Sequence, residues 1–239
     1  PKEKVKVKVN VVEGDADTEP ERKPAGDWDL DMGIELLAGA WSGKNDERDT
    51  EVDGGGGQLG LGLTLRKNRF YTGLGLQMGS YTFSDDAPEQ VSESESLAQD
   101  DVEIGHTELN LAVGYYFWDH LAVYLDLQNM AHKWKNNDYE MNYTGLGGGL
   151  AGSWPVSRKW DLFAKLSLLS QTTVKGDGDE IGHVSGGGLE LGAAYRLNTK
   201  HRLGLGLRFA AQNYDFDCGD RQAHQMLGLF FDYAYRLSF

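Results

Sequence analysis

The sequence predicts an all-β fold: a closed antiparallel barrel of ten strands whose outer face meets lipid. Three observations carry it. From Trp28 onward apolar residues recur at every second position in ten successive stretches, which is the period of a strand with two unlike faces. The connections alternate between tight and long, so one end of the sheet differs from the other. No apolar run approaches the roughly 20 residues a spanning helix needs, a test that strands escape because alternation averages out to mildly polar.

The strands follow in order. WDLDMGIELLAGAW places Leu30, Met32, Ile34, Leu36, Ala38 and Ala40 on one face, and QLGLGLTLR does the same with Leu59, Leu61, Leu63 and Leu65. FYTGLGLQMGSYTF offers Phe70, Leu74, Leu76 and Met78, and HTELNLAVGYYF offers Leu109, Leu111, Val113, Tyr115 and Phe117. LAVYLDLQNMAH, NYTGLGGGLAGSW and WDLFAKLSLLSQ continue with stripes headed by Leu121, Leu146 and Trp160. GGLELGAAYRL, RLGLGLRFAAQ and QMLGLFFDYAYRLSF complete the set, the last running Leu227, Leu229, Phe231, Tyr233, Tyr235, Leu237. Tight links (RKNR, WDH, PVSRK, NTK) follow the even strands. Loops are expected at 42–57, 84–103, 133–140, 174–186 and 215–223. Aromatic residues at the strand ends are expected to form two interfacial girdles. One holds Trp28, Phe70, Phe117, Trp118, Trp154, Trp160, Tyr235 and Phe239; the other holds Trp41, Phe83, Trp134, Tyr143 and Tyr214.

Residues 1–27 differ from the rest. KEKVKVKVNVV alternates Lys with Val and precedes a charged, Pro-bearing linker, so 1–27 reads as an N-terminal extension and 28–239 as the barrel. The opening PKEKVKV has no apolar signal segment, as expected of a mature or trimmed chain. Val5, Lys6, Val7, Lys8 and Val9 form a strand-prone segment suited to adding to a partner's sheet edge. A net charge of −14 argues against a nucleic-acid partner, and the lone Cys218 rules out an internal disulfide.

If the stripes face lipid, their alternates face the lumen. Asp31, Glu35, Glu108, Asp126, Glu190 and Asp232 then meet Arg66, Lys165, Arg196, Arg202, Arg208 and Arg236, and buried charges of both signs are expected to pair. Inward glycines such as Gly62, Gly75, Gly204 and Gly206 are expected to permit curvature and leave room for the long charged side chains.

The terminal GLFFDYAYRLSF resembles the last-strand signal of bacterial outer-membrane β-barrel proteins, which ends in Phe with aromatics at alternate positions. The resemblance implies an integral outer-membrane location and contact with outer-membrane lipid and lipopolysaccharide. It also implies delivery by the barrel-insertion machinery, with both termini periplasmic. The strand count is similar to that of the omptins, rim proteases that activate water with an Asp pair and an Asp–His pair, but no stretch matches an omptin motif. His106, His132 and His224 have inward parity near the long-loop end and are the candidates for a metal site or, with nearby carboxylates, a rim hydrolase. No GxSxG is present, DGDEIG at 177–182 is too short for an EF-hand loop, and no cofactor motif appears. Residues 84–103 hold eight carboxylates and no base, the mark of a solvated, repulsive loop.

The leading expectation is a non-enzymatic structural or accessory barrel. It would bind a periplasmic or outer-membrane protein through its N-terminal segment or its loops. A narrow, charge-lined channel is the alternative, and a rim hydrolase the third class.

Overall fold

The computed structural model describes residues 28–45, 50–83, 102–135 and 138–239. They form one closed barrel of ten antiparallel strands: β1 (Trp28–Asn45), β2 (Thr50–Lys67), β3 (Phe70–Phe83), β4 (Val102–Trp118), β5 (Leu121–Trp134), β6 (Glu140–Pro155), β7 (Trp160–Gly176), β8 (Asp179–Arg196), β9 (His201–Phe216) and β10 (Arg221–Ser238). Each strand pairs with its sequence neighbours, and β10 returns to β1 to close the ring. The seam is fully bonded: Trp28 N donates to Phe239 O at 2.8 Å and Phe239 N to Trp28 O at 2.9 Å. Closure matters because hydrocarbon offers no partner to an open strand edge.

Inside the lipid band the alternation is as the sequence predicts. Ile34, Leu36, Leu61, Leu111, Leu125, Leu168, Leu205 and Phe231 all project outward and are exposed. The apolar stretch of β1, Leu30–Ala40, spans roughly 28 Å when tilted by about 40°, close to the ~25 Å apolar band of such barrels. At the short-turn end Phe70, Trp118, Trp154, Trp160 and Phe239 stand exposed, as a girdle should.

The other end departs from expectation. Most of the segments read as long loops are strand: β1 and β2 run on to Asn45 and from Thr50, and β7 and β8 meet at a two-residue turn. In that turn Asp177 and Gly178 both have positive φ (47° and 97°), the conformation an Asp-Gly hairpin turn requires. An 18-residue strand such as β1 is about 60 Å long, or some 45 Å of height at this tilt. The barrel therefore stands several rungs clear of the lipid band.

On those upper rungs the alternation is reversed. Lys44, Glu51, Asp53, Thr82, Lys133, Glu140, Asn213, Asp215 and Arg221 face outward and are exposed. Trp41, Val52, Tyr81, Phe83, Ile104, Trp134, Tyr143, Val184, Tyr214 and Phe216 face inward and are buried. The cause is the change of solvent: beside lipid the apolar side chains gain by facing out, whereas beside water they gain by facing in. In β7 an irregularity between Leu169 and Thr172 brings Val174 to the inner side, although even-numbered residues lower on that strand face lipid.

Candidate functional site: a polar chamber under an apolar roof

The lumen has three levels. At the short-turn mouth, ion pairs are placed by register. Asp31 and Arg236 are opposite one another on the closing strands, and the guanidinium donates to both carboxylate oxygens at 2.7 and 2.8 Å. Arg196 holds Asp161 in a second bidentate pair, and Arg202 lies 3.8 Å from Asp232. These arginines are 42–45% exposed, so water reaches this mouth. Arg66 lies over the Tyr116 ring at 4.3 Å instead of meeting an acid.

The middle level is a chamber of about 520 Å³. Its wall carries a cross-strand ladder: Lys165, Glu190 and Arg208 are successive register partners on β7, β8 and β9. Arg208 donates to Glu190 at 3.0 Å and reaches Glu35 at 2.9 Å, while Lys165 sits 3.9 Å from Glu190. Gln77 donates a further bond to Glu35 at 3.3 Å, and Arg208 packs over the Phe230 ring at 5.4 Å. Two carboxylates stand apart from this ladder. Glu108 lies 3.8 Å from His106 Nε2. Asp126 accepts from Asn110 at 3.0 Å and Gln128 at 2.9 Å through one oxygen, and its other oxygen has no hydrogen-bond partner.

Glycine makes the space. A Cβ at Gly204 would collide with the Asp232 carboxylate, and one at Gly206 would come within 2.6 Å of Phe230, so these positions make room for long neighbours. Gly62, by contrast, has nothing within 4 Å of a built Cβ, and Gly75 only Asn110 at 3.9 Å. Those two leave open volume in the chamber wall.

The third level is the roof. Its buried core takes side chains from β1 to β9, with Met226 of β10 packed against it, so every strand contributes. Two polar relays tie it across the lumen. Gln58 donates to the Tyr81 hydroxyl, which donates to Met226 Sδ at 3.3 Å. Gln212 donates to the Tyr143 hydroxyl at 2.8 Å, and Tyr143 donates to Met130 Sδ at 3.3 Å. Trp41 is central, with ring contacts to Tyr81 (4.6 Å), His132 (5.2 Å) and His224 (5.7 Å).

The sequence-derived lumen residues are thus assembled from all sides: Asp31, Glu35, Glu108, Asp126, Lys165, Glu190, Arg208, Asp232 and Arg236 all point inward, most of them in pairs. Asp126 differs, being held by amides. Asp161 is a further member that parity alone identifies, since Trp160 and Leu162 beside it face lipid. The outer girdle is a correction: Trp41, Phe83, Trp134, Tyr143 and Tyr214 are roof, not membrane interface. The histidines are also displaced from the expected rim. His106, His132 and His224 are buried at 5%, 2% and 6% exposure beneath or within the roof, lining the chamber instead of standing at the rim. His106 and His132 face each other with rings 5.0 Å apart. Among the described residues no group of three or more His, Cys, Asp or Glu side chains could hold a metal ion. Val5–Val9 and most of the acidic loop lie outside the described residues. Glu103, at the loop's end, is on β4 and paired with Lys135.

Comparison with known proteins agrees with this architecture. The barrel is similar to the outer membrane protease OmpT of Escherichia coli, at 8% identity and a TM-score of 0.54, over 90% of this chain and 98% of that one. It also aligns with the COG4313 outer membrane channel of Pseudomonas putida F1 (10% identity, TM-score 0.49, 93% of this chain and 99% of that one). A third alignment is with the Pseudomonas putida toluene transporter TodX (10% identity, TM-score 0.37, 89% and 90%). At 8% identity the likeness to OmpT speaks to fold alone. No curated protein matches the sequence. The model of the outer membrane protein beta-barrel domain matches residues 64–225, more than half of the chain. The chain belongs to the outer membrane protein beta-barrel domain family and is an integral outer-membrane barrel.

Proposed function

We propose that this barrel is a non-enzymatic structural or accessory subunit of the outer membrane whose lumen does not conduct. The observation that carries the reading is the roof, a buried aromatic and aliphatic layer to which all ten strands contribute. A buried layer of this kind is packed too closely for a hydrated solute to pass, which supports the reading of a lumen that does not conduct. The outward side chains of the protruding rungs, such as Lys44, Glu51 and Asn213, are polar and exposed, as a surface that meets a partner requires. The short-turn end, where β1 starts and β10 finishes, faces the periplasm in this reading. It presents residues 1–27, with the Val5–Val9 segment, to a periplasmic or outer-membrane protein by strand addition.

The test is solute swelling of liposomes carrying the full chain, together with capture of periplasmic proteins by the full chain and by a chain lacking residues 1–23. The reading expects no swelling with small sugars, and capture that is lost on truncation while heat-modifiable gel mobility is kept. Swelling at porin-like rates would replace it with a channel. Capture unchanged by truncation would remove the role of the N-terminal segment.

A further inference from the structure

The chamber beneath the roof holds more carboxylates than lysines and arginines. Its lining carries four carboxylates (Glu35, Glu108, Asp126, Glu190) against two bases, Lys165 and Arg208. The ladder uses both bases on Glu35 and Glu190. Among the described residues neither Glu108 nor Asp126 has a lysine or arginine within ion-pair distance, and Asp126 is 3% exposed with one oxygen lacking any hydrogen-bond partner. Glu108 has His106 Nε2 at 3.8 Å, so Asp126 is the carboxylate left without a cationic neighbour, and a buried carboxylate so placed is costly. A cation in the chamber would relieve that cost.

Other features narrow the class. Trp41, Met130, Leu169 and Met226 give the chamber an apolar side next to its acids, Met130 being the register partner of Glu108. Trp41, Tyr71 and Tyr124 also line it, and their rings can stack on or attract a cationic ligand. Gly62 and Gly75 keep its wall open where any larger residue would fill it. The arginines of the short-turn mouth are partly exposed to water, which makes that mouth the side from which a polar ligand would approach.

We infer that the chamber binds a small organic cation with an apolar body, the ammonium among the carboxylates beside Glu108 and Asp126 and the body against Trp41 and Met130. This stands independently of whether the barrel conducts or anchors a partner.

The experiment is isothermal titration of the refolded full chain in detergent with phenethylamine, 2-phenylethanol and phenylacetate, which share a ring and differ in charge. Phenethylamine is expected to bind saturably, 2-phenylethanol about tenfold or more weakly because it forfeits a charge-assisted bond, and phenylacetate not at all. Glu108→Gln should weaken the amine by a similar factor without affecting the alcohol. Gly75→Leu, which projects into open volume, should abolish amine binding while native gel mobility is kept, and it decides the matter if Glu108→Gln does not fold. Equal binding of amine and alcohol, preferential binding of phenylacetate, no heat at millimolar amine, or amine binding that survives Gly75→Leu in a folded barrel would each overturn the inference.

Discussion

Replacing Arg208 with Met removes the one side chain that joins Glu35 to Glu190. Arg208 is 11% exposed and the two carboxylates 21% and 22%, so the charges left behind are largely buried. Breaking a buried pair by deleting one partner typically costs about 3–5 kcal/mol. Here Lys165 still approaches Glu190 and Gln77 still donates to Glu35, which places the expected loss at the lower end, ~3 kcal/mol. That is a roughly 150-fold change in the folding equilibrium. The assay is reversible urea unfolding in lipid vesicles, followed by tryptophan fluorescence and by gel mobility to check that both report one transition. With an m-value near 3 kcal/mol/M, the midpoint should fall by about 1 M at unchanged m. The second arm tests the cause. Arg208→Met combined with Glu35→Gln leaves the Lys165–Glu190 pair balanced and should recover most of the loss. A midpoint shift below about 0.2 M for Arg208→Met, or a double variant no more stable than the single, would refute the view that the ladder is a coupled, buried charge network.

Three other perturbations test the geometry. Leu205→Arg, within the lipid band of β9, should cost roughly 2–4 kcal/mol, whereas Asn213→Arg, outward on the same strand above the band, should stay within about 0.5 kcal/mol; equal costs would contradict the reversal of faces. Gly204→Val should drive into the Asp232 carboxylate and lose about 1–3 kcal/mol, while Gly62→Ala, with open space around it, should be neutral or slightly stabilising in the same urea titration. Gly178→Ala, at φ 97°, should cost about 1 kcal/mol by straining the β7–β8 turn, and a gain in stability would show that the turn has another conformation.

What the sequence made legible follows from where a period of two has one meaning. Between Leu30 and Ala40, or Leu203 and Phe209, lipid outside forces apolar residues outward, so the inward set, including Lys165, Glu190 and Arg208, could be placed by parity alone. Above the band the same period means the opposite. Lys44 and Glu51, or Asp215 and Arg221, look like loop by hydropathy because their polar faces are outside, and so hydropathy ends the strands too early. The aromatic residues were misplaced for a related reason. Trp41, Phe83, Trp134, Tyr143 and Tyr214 sit near where an interfacial girdle belongs, but each has inward parity, and parity was the stronger signal. The Asp177–Gly178 dipeptide likewise announced a tight hairpin inside a stretch read as a loop. The contacts among rings, such as His106 on His132, depend on how far the strands shear past one another and on the tilt. No pattern along one strand encodes that.

The central claim is that the roof seals the lumen, and single-channel recording in a planar bilayer addresses it most directly. The wild-type chain should give no steady conductance, and a variant with Trp41, Tyr81 and Trp134 changed to Gly, folded by gel mobility, should give discrete openings. Steady conductance from the wild-type barrel would contradict the account.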